Sequence, residues 1–214
     1  DNLELSGLAP LMSSALLSDI TRDMGLSCAL PMNIKPTSGK RVFGRAKTLT
    51  LDAVQPGEDW RGIYDALGTY ASVRPGDVIV VSNSLPNRAY FGNLNATVAM
   101  RAGAVGAVID GVTRDSAAVD ALGFPVFARG TYAVDIRKEG VVRAFQASIR
   151  IGDVVINEGD YIFGDVDGVI CVPATHWQQT KAQLISGIDR EALILRLAAS
   201  GADPLKIWQD LGDF

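Results

Sequence analysis

The adjacent residues Arg114 and Asp115 have the side chains needed to bind and polarise a small organic acid. They follow the apolar run AVGAVIDG, so they are expected at the carboxyl end of a buried strand, where ligands bind in open α/β sheets. A guanidinium is a planar fork for carboxylates and keto acids, and a carboxylate offers Mg²⁺ a hard oxygen ligand. A surface ion pair or a helix cap explains the same two residues, and both interpretations stay open at this point.

A second polar segment follows the other strongly apolar run, VIVVS. Its polar and glycine residues are Ser82, Asn83, Asn87, Arg88, Gly92, Asn93 and Asn95. Gly92 precedes a predicted helix, so free backbone N–H groups and the helix dipole would face whatever lies in front of it, and a carboxylate suits that position. Ordinary N-capping by Asn93 explains the segment equally well.

The small number of histidines and cysteines excludes several kinds of catalytic site. The chain contains one histidine, His176, and two cysteines, Cys28 and Cys171. A histidine-rich zinc site is therefore excluded, and Ser-His-Asp or Cys-His catalysis is disfavoured. Enzymatic chemistry would then depend on carboxylates, arginine, lysine and an oxygen-ligated metal ion.

Composition and charge narrow the class of protein. The 214 residues are 48% hydrophobic and carry 20 Lys and Arg against 24 Asp and Glu, a net charge of −4. No basic run exceeds two residues, which disfavours nucleic acid as the main partner. No apolar stretch approaches the roughly 18–20 residues of a membrane span, and the first residues, DNLELSGLAPLMSS, lack the basic start of a signal peptide. A cytoplasmic protein with buried, reduced thiols is predicted.

The middle of the chain predicts an α/β layer with parallel strands. Apolar or alternating segments predict strands over residues 42–51, 78–82, 104–111 and 124–130. Helical spacing predicts helices over residues 8–24, 60–73, 94–103 and 116–123. Alternation of strand and helix is typical of parallel sheets, whose strands end at one common edge.

From residue 141 the pattern changes to short strands separated by Gly-Asp turns, which predicts an antiparallel or barrel-like layer. Residues 174–214 are predicted to be a helical tail, in which Gly187 and Gly201 end helices and Asp203-Pro204 begins the last one. No linker, repeat or low-complexity segment separates these parts. Residues 1–214 are therefore predicted to form a single domain.

The order of these motifs resembles the RraA-like family. The similarity covers about residues 12–200 and is carried by GDVIVVSN, FGNLNATVAMRAGAVGAVIDGVTRD, FPVFARG and GDVVINEGDYIFGDVDGVICVP. That family includes metal-dependent 4-hydroxy-4-methyl-2-oxoglutarate/4-carboxy-4-hydroxy-2-oxoadipate aldolases and the protein regulator of ribonuclease E activity. The resemblance implies an α/β fold of the swivelling β/β/α kind, and homotrimers or homohexamers with active sites between subunits.

The resemblance also implies roles for individual residues. The implied substrate-binding residues are Gly92, Asn93, Leu94, Asn95, Arg114 and Lys138. The implied catalytic residues are Arg114, which polarises the substrate, Asp115, and Glu191, which reaches a neighbouring subunit's site. Asp115 is also the implied ligand of Mg²⁺ or Mn²⁺, directly or through water.

Two positions depart from the family pattern. Many members have an aspartate where this chain has Ser82-Asn83, and the catalytic aldolases often have an acid where it has Asn93. Fewer acids mean a weaker attraction for Mg²⁺ and less capacity for general-base catalysis. The expected proton acceptor is then a metal-bound water or Glu191 of a neighbouring subunit.

The sequence predicts a divalent-metal-dependent carbon–carbon lyase that cleaves a 4-hydroxy-2-oxo acid, or decarboxylates oxaloacetate, to give pyruvate. A chelated metal and Arg114 would stabilise the pyruvate enolate. A Schiff-base route would need a buried lysine, and Lys35, Lys40 and Lys47 are not expected in buried apolar runs. Two alternatives stay open: a non-catalytic regulator that inhibits a ribonuclease by protein contact, and another metal-assisted reaction on a hydroxy or oxo acid, such as dehydration.

Overall fold

A mixed β-sheet forms the centre of the molecule in the computed structural model, which describes residues 7–212. The strands are β1 (Lys35–Ser38), β2 (Val42–Ala53), β3 (Asp77–Asn83), β4 (Gly106–Thr113), β5 (Val126–Thr131), β6 (Gly140–Phe145), β7 (Ile149–Ile151), β8 (Val154–Ile156), β9 (Tyr161–Asp165) and β10 (Gly168–Val172). The main sheet has the order β1-β5-β4-β3-β2-β9-β10, with β6 also paired to β2, and β7 and β8 form a separate hairpin. The amino-terminal segment that was compared with a signal peptide includes residues 1–6, which lie outside the described residues.

Six α-helices and three short 3-10 turns surround the sheet within the described residues. The helices are α1 (Ser14–Asp23), α2 (Leu67–Ala71), α3 (Asn93–Ala102), α4 (Ser116–Ala121), α5 (Trp177–Ala199) and α6 (Pro204–Leu211). The 3-10 turns are Ala9–Leu11, Trp60–Ala66 and Ala174–His176. The predicted helix over residues 60–73 therefore consists of a 3-10 turn followed by one short α-helix.

The four middle strands are parallel, as predicted. β2 pairs with β3, β3 with β4, and β4 with β5, all in the parallel sense. Alternate residues of β3 pack into two different apolar clusters: Ile79 and Val81 lie on the face covered by α3 and α4, and Val78 and Val80 lie on the face covered by the β7–β8 hairpin. Burial on both faces explains why these strands are continuously apolar.

The antiparallel strands join the same sheet through β2. The first half of β2 pairs with β9 and its second half with β6, both antiparallel and on the edge opposite β3. This long strand makes the parallel part and the barrel-like part continuous. The fold class is confirmed: an α/β domain with parallel middle strands, a barrel-like β region and a C-terminal helical tail.

The prediction that Gly187 ends a helix is wrong. Helix α5 continues through it, and a Cβ at this position would lie 2.9 Å from Cδ1 of Leu16 in α1. Gly187 therefore allows α5 to pack closely on α1. The other tail predictions are confirmed: Gly201 has a φ of +81°, and Asp203 caps α6 by accepting a hydrogen bond from the Leu205 N–H.

Cys28 and Cys171 are free and buried, as predicted, and burial raises the pKa of both thiols. The expectation for Lys47 is wrong, since this lysine is only 5% exposed in β2. Its Nζ lies 2.5 Å from Glu158 and 3.8 Å from Asp77, so two carboxylates compensate its burial. None of the helices in residues 7–212 is long and apolar enough to cross a membrane.

Candidate active site

The largest group of predicted site residues lines one cavity at the carboxyl ends of β3 and β4. Its volume is about 440 Å³, within the range of small-molecule pockets. The lining residues are Ile63, Tyr64, Ala66, Leu67, Tyr90, Gly92, Leu94, Asn95, Arg114, Asp115, Asp135, Ile136 and Arg137. This is the edge of the parallel sheet at which the sequence predicted ligand binding.

The loop after β3 is fixed against the loop after β4 by backbone contacts. The carbonyl of Phe91 accepts hydrogen bonds from the Arg114 N–H, at 3.0 Å, and from the Thr113 hydroxyl, at 2.6 Å. A parallel bridge between Phe91 and Thr113 extends this contact. Gly92, the N-cap of α3, is thereby placed beside Arg114 and Asp115.

Asp115 directs its carboxylate toward the amino terminus of α3. Its φ of 57° is left-handed, a conformation that aspartate tolerates better than most residues. Although Asp115 is the N-cap of α4, its Oδ2 accepts a hydrogen bond from the Asn93 N–H of α3 at 3.2 Å. This contact combines a carboxylate with the positive end of a helix dipole. The Asn93 contribution to the site is thus its backbone N–H.

Gly92 is required for that close approach. A Cβ at position 92 would lie 2.7 Å from Oδ2 of Asp115 and 3.2 Å from Cγ of Arg114. Its φ of −160° is extended backbone, which any residue adopts. The glycine is therefore explained by the space that Asp115 and Arg114 occupy, and the sequence alone did not reveal this contact.

Arg114 is held by two carboxylates. Its Nη2 lies 2.7 Å from Oδ2 of Asp135, and its Nε lies 3.9 Å from Oδ2 of Asp115. Asp135 was not among the predicted site residues. Asp135 lies in the loop after β5, next along the sheet from β4, and its bridge to Ala89 brings that loop to the same edge. The sequence signal that could have identified Asp135 is its position after a third predicted parallel strand, at the same edge of the sheet.

Leu94 and Asn95 differ in what their side chains contact. Leu94 is 75% exposed at the cavity mouth. The Asn95 Oδ1 accepts from the Tyr70 hydroxyl at 2.8 Å, and its Nδ2 donates to the Tyr90 carbonyl at 2.8 Å. The Asn95 amide therefore ties α3 to α2 and to the loop that precedes Gly92.

Two buried tyrosines lie behind this amide. The Tyr90 hydroxyl has no hydrogen-bond partner of good geometry in the described residues. Burial raises the pKa of Tyr90 to about 12, an effect that the adjacent Tyr70 hydroxyl partly opposes. Burial also raises the pKa of Tyr70. Both phenols are therefore neutral near pH 7 and supply no base to the cavity.

Ser82 and Asn83, which stand where many family members have an aspartate, make local contacts. The Asn83 side chain accepts from the Leu85 N–H and donates to the Leu85 carbonyl, both at 3.0 Å. The Ser82 hydroxyl donates to the Arg150 carbonyl at 3.2 Å. Neither side chain lines the cavity. Asn83 shapes the loop after β3, and Ser82 joins the end of β3 to β7.

Lys138 and Glu191 lie apart from the cavity within one chain. Lys138 is exposed in the turn before β6 with a φ of 74°, and the neighbouring Arg137 lines the cavity instead. Glu191 lies on α5 in a second cavity of about 670 Å³ between α1 and α5, which also includes Asp19 and Asp23. The structure thus brings together residues 92–95, Arg114 and Asp115, and not these two.

The acids of the cavity fit a hard cation that keeps most of its water. Within residues 7–212, no three His, Cys, Asp or Glu side chains lie close enough together to hold a metal ion. Asp115 is the more accessible of the two cavity carboxylates to a cation, because its Oδ2 lies 3.9 Å from Nε of Arg114, whereas Oδ2 of Asp135 lies 2.7 Å from Nη2 of the same guanidinium. Mg²⁺ commonly binds proteins through one or two carboxylates and retains several waters. One carboxylate at the mouth of an open cavity matches that behaviour.

The chain is similar in sequence to a protein family and to a named relative within it. Residues 14–171 match a family model described as RraA-like, Aldolase/RraA. A Halalkalibacterium halodurans protein named "Putative 4-hydroxy-4-methyl-2-oxoglutarate aldolase" is 35% identical over 146 residues, which are 67% of this chain and 66% of that protein. The chain therefore matches just under two thirds of that relative's length.

Two solved structures superpose on most of the chain. One is an uncharacterized protein from Pseudomonas syringae pv. tomato str. DC3000, with a TM-score of 0.87, 26% identity, and coverage of 98% of this chain and 94% of that chain. The other is Streptomyces coelicolor RraAS2, described as an unusual member of the RNase ES inhibitor RraA protein family. It has a TM-score of 0.75 and 24% identity, and the match covers 90% of this chain and 94% of that chain. The second similarity shows a shared fold alone.

Proposed function

The chain belongs to the RraA-like family, and on that basis we propose that it is a divalent-metal-dependent lyase that releases pyruvate from a 4-hydroxy-2-oxo acid or from oxaloacetate. The observation that carries the proposal is the convergence of Arg114, Asp115 and the amino terminus of α3 at one cavity. A guanidinium, a hard oxygen ligand and helix N–H groups are the groups that a 2-oxo acid would need there.

Arg114 would bind the carboxylate and keto oxygens of the substrate. Asp135 holds the guanidinium from one side, at 2.7 Å, so that its planar fork is oriented before substrate arrives. As the bond between C3 and C4 breaks, its electrons move toward the keto oxygen, and Arg114 would stabilise the negative charge that develops there. In a 4-hydroxy-2-oxo acid the C4 hydroxyl gives up its proton, the C4 fragment leaves as an aldehyde or ketone, and the pyruvate enolate takes up a proton at C3. In oxaloacetate the C4 carboxylate leaves as CO2, no hydroxyl proton is removed, and the same enolate is protonated.

Asp115 would hold Mg²⁺ or Mn²⁺, which would act as a Lewis acid toward the oxygens of the substrate. The hydrogen bond from the Asn93 N–H fixes the Asp115 carboxylate at the cavity edge. Asp115 and Asp135 are the carboxylates of this cavity, and both contact Arg114. For this reason we assign acceptance of the C4 hydroxyl proton to Glu191 of a second copy of the chain.

The second candidate function is a non-catalytic protein that acts through protein contact. The engagement of both cavity carboxylates by Arg114 favours it, because no free general base then lies in the cavity of a single chain. It predicts that the protein binds small acids weakly or not at all and that pyruvate is never released.

Pyruvate release measured on several substrates separates these functions. The panel contains oxaloacetate and 4-hydroxy-2-oxo acids with different C4 substituents, each with Mg²⁺, with Mn²⁺ and with EDTA. We expect metal-dependent pyruvate release from at least one of these substrates. A matched reaction with the Arg114→Lys variant is the control for uncatalysed decay of the substrate. Release at the background rate from every substrate would refute the lyase proposal and leave the contact-dependent function.

A further inference from the structure

We propose that Arg137 is a specificity-determining residue that binds a second carboxylate of the substrate, an inference that rests on the proposed function. Arg137 lines the same cavity as Arg114 and lies in the turn that leads to β6. Its side chain is exposed. Arg114 would then bind the carboxylate and keto oxygens of the 2-oxo acid group, and Arg137 the carboxylate at or beyond C4.

The guanidinium of Arg137 is unpaired, although an acidic residue stands two positions away on each side of it in the sequence. Asp135 binds Arg114 at 2.7 Å, and Glu139 binds Arg88 at 2.8 Å. Within residues 7–212, the Arg137 guanidinium forms neither an ion pair nor a hydrogen bond. Its charge and its planar pair of donors are therefore available to an anion that enters the cavity.

The backbone of Arg137 is fixed to the same carboxylate that holds Arg114. The Arg137 N–H donates to Oδ1 of Asp135 at 2.5 Å, and Nη2 of Arg114 lies 2.7 Å from Oδ2. The preceding residue, Ile136, is buried, and its N–H donates to the Ala89 carbonyl at 3.1 Å. The Arg137 side chain thus begins at a fixed point of the cavity, and its unpaired guanidinium can turn toward a ligand.

The charges of the cavity match a substrate with two carboxylates once a divalent cation is bound. Arg114 and Arg137 balance Asp115 and Asp135, so the charged side chains that line the cavity sum to zero. Mg²⁺ or Mn²⁺ on Asp115 would add two positive charges. A dicarboxylic acid restores neutrality, whereas a monocarboxylic acid displaces water from Arg137 without giving it a partner.

Lys138 is the rival for this role, because the family resemblance implied it as a substrate-binding residue. The backbone turns at Lys138, whose φ of 74° is left-handed, and this residue does not line the cavity. An ammonium group is also a point charge, whereas a guanidinium binds a carboxylate through two parallel hydrogen bonds. The two assignments therefore predict different outcomes for single substitutions at neighbouring positions.

The test is calorimetric binding of 2-oxoglutarate and 2-oxopentanoate in the presence of Mg²⁺. The two acids have the same chain length, differ in a terminal carboxylate against a terminal methyl group, and lack the C4 hydroxyl that retro-aldol cleavage requires. We expect wild-type protein to bind 2-oxoglutarate at least about tenfold more tightly. Arg137→Gln should abolish this preference by weakening the binding of 2-oxoglutarate alone. Arg101→Gln, exposed at the end of α3 and outside the cavity, should leave the preference unchanged.

Kinetics give a second readout on a dicarboxylic 4-hydroxy-2-oxo acid that the wild-type protein cleaves. The carboxylate beyond C4 keeps its charge throughout that reaction, so Arg137 would bind substrate and transition state equally well. Arg137→Gln should therefore raise KM at least about tenfold and leave kcat nearly unchanged. A fall in kcat with an unchanged KM would contradict a role in binding the second carboxylate.

Other binding results would overturn the inference. Equal affinity of wild-type protein for the two acids, or binding of neither, would remove the second carboxylate site. A preference that survives in Arg137→Gln and is lost in Lys138→Gln would assign the carboxylate to Lys138. A change in sedimentation of Arg137→Gln with an unchanged preference would show that Arg137 pairs with a second copy of the chain.

The inference and the proposed function can fail separately. A protein that prefers 2-oxoglutarate through Arg137 but releases pyruvate from no substrate would refute the lyase reaction and keep the binding role of Arg137. A protein that releases pyruvate but binds the two acids equally would refute the role of Arg137 and keep the lyase reaction.

Discussion

At the scale of single residues, the site depends on how one guanidinium is oriented. Arg114 lies between Asp135 and Asp115, at 2.7 and 3.9 Å, on a loop whose backbone is bonded to Phe91. Two carboxylates on different loops limit the directions in which the planar fork can point. A substrate oxygen would therefore meet a donor that is already in place, which is the condition for strong stabilisation of developing charge.

Replacing Arg114 by lysine tests the importance of that fork. Arg114→Lys keeps the charge and loses the planar pair of donors, so we expect turnover to fall by about 10²- to 10³-fold. The melting temperature should change little, because the side chain is 40% exposed. Turnover and thermal unfolding are measured on the same preparation. Wild-type turnover in the variant would refute the site assignment, and a large loss of stability would indicate a structural ion pair.

The site residues on the loops after β3 and β4 could be predicted from the sequence, but the side chains that they contact could not. Arg114, Asp115 and Gly92 could be placed at one sheet edge because each follows a buried parallel strand. Asp135 was missed because it follows β5 after an exposed stretch, and only the pairing with Ala89 brings it to Arg114. Burial of Lys47 was missed because its partner Glu158 is over 100 positions away in the chain.

At the scale of elements, the contact between α3 and α4 organises the site. Gly92→Ala should push the Asp115 carboxylate away, since the new Cβ would lie 2.7 Å from Oδ2. We expect turnover to fall at least about tenfold with little change in melting temperature, because the extended backbone at Gly92 accepts alanine. Gly68→Ala, where nothing lies within 4 Å of the new Cβ, is the matched control. Equal turnover in the two variants would contradict the contact.

Helix α1 is anchored to the sheet by Asp165. Its carboxylate accepts hydrogen bonds from the Ser14 N–H at 2.8 Å and the Ser14 hydroxyl at 2.6 Å. Burial alone would raise the pKa of Asp165, but the hydrogen bonds from Ser14, together with those from the backbone N–H groups of Asp167 and Gly168, outweigh it and hold the pKa below the ordinary value of 3.8. A carboxyl group with a lowered folded-state pKa stabilises the fold above its ordinary pKa, and this stabilisation is lost as the pH falls through the folded-state value.

Removing the Ser14 hydroxyl should therefore destabilise the protein at neutral pH. Ser14→Ala deletes one hydrogen bond to a charged acceptor, worth about 1.5–3 kcal/mol of unfolding free energy. The difference from wild type should shrink below about pH 4, when Asp165 begins to be protonated. Denaturant unfolding across pH 3–7 measures it, with Ser18→Ala on the same helix as control. A difference that does not change with pH would contradict the role of the Asp165 charge.

Strands and helices with a strong apolar pattern were predicted from the sequence. Features that depend on pairing or packing with distant parts of the chain were not. The parallel strands are buried on both faces and were evident as continuous apolar runs. β1 has the sequence KPTS, which has no strand pattern, and no strand was predicted there. It is a strand because its backbone pairs with β5. Gly187 has the sequence pattern of a helix end, and only the packing of α5 on Leu16 explains why a glycine is needed inside the helix.

At the scale of the whole molecule, the C-terminal helices extend apolar side chains into solvent. Leu195 in α5 and Leu205 and Trp208 in α6 are exposed. We expect these surfaces to be covered in a trimer or a dimer of trimers, the assemblies that the family resemblance implied. Sedimentation at micromolar concentration measures the assembly. A monomer of 22.7 kDa would contradict it and would remove Glu191 from the active site.

A site shared between subunits predicts complementation. Glu191→Gln and Arg114→Lys should each reduce turnover, and mixed oligomers of the two variants should regain part of it, because some sites then combine an intact Arg114 with an intact Glu191. Asp189→Asn, two positions away on α5 and also exposed, is the control for Glu191→Gln. No recovery on mixing, in oligomers shown to exchange subunits, would place Glu191 outside the site.

The most direct test of the proposed site is turnover as a function of metal concentration in wild type and Asp115→Asn. We predict that EDTA abolishes pyruvate release by wild type, that Mg²⁺ or Mn²⁺ restores it, and that Asp115→Asn needs at least about tenfold more metal for half-maximal turnover, because it loses the charged ligand that Mg²⁺ prefers. Its melting temperature should stay close to that of wild type, since the side chain lies at a loop edge. Undiminished turnover by metal-free wild-type protein, or the same metal requirement in both proteins, would contradict a metal-dependent lyase centred on Asp115.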